Sequence, residues 1–158
     1  LPMKVGFGAC YSGITNLLLA VDFTYTGWSA WDVILITDAN GSTISQLTQN
    51  WQDTFKVGVG FEYTAGTAKI RGGVTTENRA AVDETMSPSI PDMNRRINLN
   101  LGLAVPFGPV VFAVNYEKIF IPENEITTWY YTDSIADNMA GTYKMNVNNL
   151  MLGLDFNF

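Results

Sequence analysis

An all-β fold, an antiparallel transmembrane β-barrel meander of about seven strands, is what this sequence predicts. Three observations predict it. Apolar and polar residues alternate with period two in seven segments. Short turns and long polar loops take turns along the chain. Charged residues make up 15% while aromatic residues reach 13%. Ordinary soluble domains carry about 25% charge. Side chains in a strand point alternately to opposite faces, so period-two alternation gives each segment one apolar and one polar wall.

The seven segments run in order. Met3, Val5, Phe7, Ala9 and Tyr11 oppose Lys4, Gly6, Gly8 and Cys10. Leu17, Leu19, Val21, Phe23 and Tyr25 oppose Leu18, Ala20, Asp22, Thr24 and Thr26. In the third, Trp51 to Tyr63, the odd positions are apolar apart from Asp53, and Lys56, Gly58, Gly60 and Glu62 stand opposite. Ala68, Ile70, Gly72 and Val74 oppose Lys69, Arg71, Gly73 and Thr75. The fifth is the cleanest: Ile97, Leu99, Leu101, Leu103 and Val105 against Arg96, Asn98, Asn100, Gly102 and Ala104. Val110, Phe112, Val114 and Tyr116 then oppose Val111, Ala113, Asn115 and Glu117. The last runs from Tyr143 to Phe158. Tyr143, Met145 and Val147 have the opposite parity to Leu150, Leu152, Leu154, Phe156 and Phe158, so a β-bulge is expected at Asn148-Asn149.

Tyr11 to Asn16, Thr64 to Thr67 and Pro106 to Pro109 read as tight turns. Thr37 to Asn50, Thr76 to Asn94 and Pro122 to Thr142 read as long polar loops. A membrane barrel sorts its loops this way, with short periplasmic turns and long external loops; a soluble sandwich has no reason to. Aromatics sort with them. Trp28, Trp31, Trp51, Tyr116, Phe120 and Tyr143 lie toward the long-loop ends, and Tyr11, Tyr63, Phe107, Phe156 and Phe158 toward the short-turn ends. Two interfacial girdles are the expectation.

Other classes are disfavoured. The net charge of −6 offers no basic patch for nucleic acid. Leu17 to Val21 and Val33 to Ile36, the longest apolar stretches, are far too short for a membrane-spanning helix. The chain holds no His, and its serines lie mainly in loops and turns, so no catalytic constellation, metal site or cofactor site is expected. Cys10 is single and reads as a small wall residue.

If the apolar wall meets lipid, the polar wall lines the lumen and its charges should be paired. The candidate lumen-lining or ligand-binding residues are Lys56, Glu62, Lys69, Arg71, Arg96, Asn98, Asn100, Asn115 and Glu117. A turn centred on Ala65-Gly66 would set Glu62 opposite Lys69. A turn centred on Phe107-Gly108 would set Asn100 opposite Asn115 and Asn98 opposite Glu117, with Arg96 one diagonal away. Lys4 would lie diagonal to Asp22. These charges either stiffen the lumen or meet an anionic head group or an interior plug. The recurrent glycines, Gly58, Gly60, Gly72, Gly73, Gly102 and Gly153, fit either interior room or barrel curvature.

The motifs in this order resemble the C-terminal half of the long-chain fatty-acid outer-membrane transporter family, the OMPP1 or FadL/TodX type. They are LPMKVGFGACYS, LLLAVDFTYTGWSAWD, WQDTFKVGVGFEYTAGTAKIRGGV, SPSIPDMNRRINLNLGLAV and GTYKMNVNNLMLGLDFNF. The resemblance covers essentially the whole chain. It implies a bacterial outer-membrane barrel of about fourteen strands, with an N-terminal plug inside and passive uptake of hydrophobic small molecules. It does not place the family's principal ligand residues on this chain. The plug and first half of the barrel lie outside residues 1–158, which begin at Leu1 without an initiator Met and read as a piece of a longer, processed protein. The missing N-terminal half would be the partner closing the sheet, since an open edge in lipid is prohibitive. Phe158 resembles the terminal signal read by the barrel assembly machinery. Within the loop, Pro91 and Asp92 are expected to shape re-entry into the wall rather than touch ligand. The rivals are a structural or adhesive barrel whose long loops bind a partner, and a soluble lipid-binding barrel.

Overall fold

The structure, a computed structural model, describes residues 1–86, 94–127 and 140–156. Among the described residues nine strands form, in chain order: β1 (Lys4–Ile14), β2 (Leu17–Thr26), β3 (Val33–Thr37), β4 (Thr43–Thr48), β5 (Thr54–Ala65), β6 (Ala68–Glu77), β7 (Arg96–Phe107), β8 (Val110–Ile126) and β9 (Gly141–Phe156). Seven make one sheet in the order β1-β2-β5-β6-β7-β8-β9, and β3-β4 pair separately. Every pairing in the large sheet is antiparallel. The seven alternating segments are these seven strands. Asp53, the misfit of the third segment, lies just before β5 begins at Thr54.

Parity is conserved across the sheet. Leu19, Phe61, Gly72, Leu101, Tyr116 and Leu150 align in one row of the apolar face, and Ala20, Gly60, Gly73, Asn100, Glu117 and Asn149 in the neighbouring row of the polar face. The apolar face is the exposed one: Leu101 is 63% and Leu152 79% accessible. A water-soluble sheet hides that face.

The hairpins close by two-residue loops, Gly66-Thr67 and Gly108-Pro109, with Gly66 at φ 65° and Gly108 at φ 61°. Positive φ at the first central residue is the requirement of a type II′ turn, which glycine meets without steric cost. Each turn centre therefore lies one residue beyond the expected one. Register moves by two and every side chain keeps its face.

Three further expectations about the fold fail. First, residues 37–50 are not a plain loop, because Val33–Thr37 and Thr43–Thr48 pair as a hairpin. Asp38 turns it by accepting Asn40 N–H at 2.9 Å and Ser42 N–H at 2.8 Å on Oδ1.

Second, no bulge occurs at Asn148-Asn149. Register runs unbroken from Val110↔Phe156 to Ile121↔Met145, and the irregularity falls between Ile121 and Asn124, around Pro122. The phase slip is instead an exchange of faces. Below Tyr116 and Leu150 the exposed side carries Val114, Phe112, Leu152 and Leu154; above them it carries Lys118, Asn146 and Asn148 with Phe120 as its one apolar member, while Ile119, Val147 and Met145 turn to the shielded side. β8 and β9 have 17 and 16 residues. About 9–11 suffice to cross a bilayer, so this hairpin runs past the apolar band and reverses its polarity where its surroundings change.

Third, Trp28, Trp31 and Trp51 do not form a girdle. Their rings pack on one another at 5.0–5.7 Å between centroids, and Trp51 is only 9% accessible. Together with Ala80 and Ala81 they make a small core over the loop end of the sheet. Tyr143 lies on the shielded side of β9. Tyr11, Tyr63, Phe107 and Phe156 are exposed near the turn end, as expected there. Phe158, Pro91 and Asp92 lie outside the described residues.

Candidate functional site: the polar face of the wall

The polar face divides into two ionic clusters and an amide belt between them. Nearest the turns, Glu62 sits opposite Arg71, not Lys69. Its carboxylate accepts Lys69 Nζ–H at 2.8 Å on Oε1 and Arg71 Nε–H at 2.7 Å on Oε2. The Glu62–Lys69 contact thus survives as a diagonal, and Arg71 joins it.

At the loop end, Lys56, Glu77 and Arg96 form one row, with Arg96 Nη2 3.9 Å from Glu77 Oε2. Arg96 therefore meets Glu77 rather than the Asn98–Glu117 pair. Glu77 was missed because the loop was expected to start at Thr76, whereas β6 runs on to Glu77. A concavity of about 140 Å³ opens among Lys56, Thr75, Glu77, Arg96, Asn98 and Ile119.

Between the clusters, Asn100 lies opposite Glu117 and Asn115 opposite Gly102. Asn98 reaches Glu117 diagonally, Nδ2–H to Oε1 at 3.3 Å, and Asn149 donates to Glu117 Oε2 at 2.8 Å. Asn149 belonged to the last strand's polar parity, but its link to Glu117 needed the register. Lys4 pairs with Thr26 and Asp22 with Gly8, so Lys4 and Asp22 are not diagonal neighbours.

Two glycines of this wall have a local cause. A Cβ on Gly58 would stand 2.1 Å from Asp22 Oδ2, and one on Gly102 2.5 Å from Asn115 Oδ1. Each makes room for a polar side chain reaching across from the next strand.

Above the amide belt, Ile119, Val147 and Met145 form an apolar strip on this mainly polar face, next to Asn98 and Arg96. The loop-end row carries two cations, Lys56 and Arg96, against one carboxylate, Glu77, for a net of +1. A cationic row beside an apolar strip is a surface an amphiphile with an anionic head can bind. Among the described residues no group of three or more His, Cys, Asp and Glu is placed to hold a metal ion.

The family described as "Outer membrane protein transport protein (OMPP1/FadL/TodX)" matches residues 1–158. The chain belongs to this family. Among solved structures, the crystal structure of a Pseudomonas aeruginosa FadL homologue superposes with a TM-score of 0.72 at 22% identity. The match covers 80% of this chain and 29% of that one, so the chain spans well under half of its relative's length. No curated protein sequence matches. The likeness bears out an all-β, barrel-type wall, left as an open sheet over these residues. The OMPP1/FadL/TodX family comprises outer-membrane transport proteins rather than enzymes, and its apolar wall is the lipid-facing one.

Proposed function

We propose that this chain is the C-terminal half of a bacterial outer-membrane barrel of about fourteen strands, passing long-chain fatty acids or other hydrophobic compounds by diffusion. Strands and a plug from outside residues 1–158 complete it. The observation that carries the reading is the pairing of unlike surfaces on the lumen side: the Lys56–Glu77–Arg96 row lies beside Ile119, Val147 and Met145. A carboxylate head would meet the cations while its chain lies along the strip. The Glu62–Lys69–Arg71 cluster and the amide belt of Asn98, Asn100, Asn115 and Glu117 then order the wall below.

The test is uptake by the full-length protein in proteoliposomes, with a fluorescent long-chain fatty acid and a neutral hydrocarbon of similar length compared. Arg96→Glu with Lys56→Glu should slow the acid several-fold and leave the hydrocarbon alone. Equal loss of both, or of neither, in a folded barrel would sink the assignment of the head-group row. Deleting Phe158 should lower membrane insertion yield if the terminal aromatic is read by the assembly machinery.

One observation favours a second reading, a barrel whose loops bind a partner. The β3–β4 hairpin exposes Val33, Ile34, Leu35 and Ile36, apolar on both faces. Removing residues 33–48 separates the two, since transport at the wild-type rate without the hairpin would leave it a binding role.

A further inference from the structure

The exchange of faces in β8–β9 leaves a polar cluster on the outward side of the wall, and transport makes no use of it. Lys118 Nζ donates to Asn146 Oδ1 and, at 3.1 Å, to Asn148 Oδ1. Tyr116 Oη donates to the same Asn148 oxygen at 2.7 Å. The ammonium also lies 5.6 Å from the centre of the Phe120 ring.

An ammonium has three donors, and two are used within the cluster. Glu117 and Asp155 point to the other side, so no carboxylate of residues 110–120 or 146–156 shares this face. The nearest outward carboxylate along β8, Glu123, is taken up by Lys144 at 3.7 Å. Among the described residues the cluster is a cation with neutral amides and no counter-charge.

Its height fixes what lies beside it. Lys118 is eight residues beyond Val110, and Asn148 eight before Phe156. A tilted strand climbs about 2.5 Å per residue, so the cluster stands about 20 Å above the turn end, near the edge of an apolar band about 25 Å tall. Below it, on β8 and β9 and the neighbouring β7, a groove of about 510 Å³ runs between Leu103, Val105, Phe112, Val114, Leu152 and Leu154.

We propose that the outward face of β8–β9 binds one phosphorylated lipid of the surrounding leaflet. Its phosphate sits on Lys118, Asn146 and Asn148, and an acyl chain lies in the Leu103–Phe112–Leu152 groove. The commitment to a lipid, rather than to free phosphate, rests on the groove lying below the cluster on the same outward face, with only the Tyr116–Leu150 pair between them. The inference uses the membrane wall of the family but not the identity of the transported compound.

The test is native mass spectrometry of the full-length protein in maltoside micelles with three probes: phosphatidic acid, diacylglycerol of the same chains, and glycerol phosphate. The wild type should retain one phosphatidic acid and neither of the others. Lys118→Gln should lower that occupancy about fivefold, the factor one surface cation carries at an anionic headgroup layer. Lys118→Arg should keep it, and fatty-acid uptake should not change. Where Lys118→Gln does not fold, Asn148→Asp, which sets a carboxylate beside the same ammonium, should lower occupancy instead. Equal retention of diacylglycerol would overturn the phosphate contact. Binding of glycerol phosphate as tight as that of phosphatidic acid would overturn the lipid. Unchanged occupancy in folded Lys118→Gln would overturn both.

Discussion

The wall and the cap over its loop end are built from the same residue types under opposite rules. In the wall, Leu101 and Leu152 stand 63% and 79% accessible, while in the cap Trp51 and Met86 are 9% and 1% accessible. Among the described residues the buried apolar side chains are Trp51, Ala80, Ala81, Met86, Ile126 and Ala104, and of these only Ala104 lies in the lower wall. The cap is held as a water-soluble protein is, by burying apolar surface. It is laced across elements: Gln52 N–H donates to Ala80 O at 2.8 Å, Thr85 Oγ1–H to Gln49 O at 2.5 Å, and Asn124 Nδ2–H to Asp83 Oδ1 at 2.7 Å. The apolar face of the wall stays largely exposed rather than buried against the chain. Its backbone ladder is obligatory because lipid offers no other hydrogen-bond partner. The contrast teaches that this chain meets two solvents, and that the boundary between them is written in β8 and β9.

The sharpest way to break the comparison is to empty the cap. Trp51→Ala removes the ring on which Trp28 and Trp31 pack, and should cost the cap about 3–5 kcal/mol. Tryptophan emission should shift to the red and the loops become protease-sensitive, while heat-modifiable migration on gels, the mark of an intact barrel, stays. Loss of that migration would mean the two regions fold as one.

The converse change attacks the wall. Leu101→Arg places a charge on the lipid face and should cost about 2–4 kcal/mol if it sits near the bilayer midplane. The same change at Leu35, in the β3–β4 hairpin, should leave urea stability in vesicles within about 0.5 kcal/mol, as surface substitutions do. Equal costs at the two positions would erase the distinction between the solvents.

Much of this was legible in the sequence, and the losses have physical reasons. Side-chain parity is local, so all seven wall strands and the face of every candidate residue from Lys56 to Glu117 follow from period two. Register is not local. It depends on which residue takes positive φ, and choosing Gly66 and Gly108 as first central residues moves every partner by two. The contact of Glu62 with Lys69 survived because long side chains reach diagonally; that of Asn100 with Asn115 did not. The parity change before Leu150 was visible, but a bulge and an exchange of solvent leave the same mark in one strand. Only the matching change in β8, at Lys118 and Ile119, separates them. The three tryptophans pack through loops whose path no periodicity encodes.

A smaller effect probes the wall's polar side. Glu62→Gln leaves Lys69 and Arg71 without their shared carboxylate, yet both are half exposed on the polar face. The cost in urea stability should stay within about 1 kcal/mol. A loss as large as that of Leu101→Arg would mean the charges of the polar face, and not the ladder and the lipid face, hold the wall together.

Acid should act on the cap before the wall, and by the least amount. Asp53 is held below the usual carboxylate range, first by the Tyr25 hydroxyl and then by the Ser29 N–H. Asp83 is held low by Arg79 above all, at 2.5 Å, against some burial, and by Asn124. Both carboxyls are stronger acids folded than unfolded, so the unfolded cap binds more protons as pH falls. Their stabilisation is complete above the ordinary aspartate value of about 3.9 and drains away as pH drops through the lower folded values. Tryptophan emission followed from pH 7 down to pH 2 should therefore shift only below about pH 4, with gel migration of the barrel retained. Asp83→Asn should flatten part of that step, because the amide cannot titrate. A shift already complete at pH 5, or one unchanged by Asp83→Asn and Asp53→Asn together, would place the acid-sensitive groups in the wall.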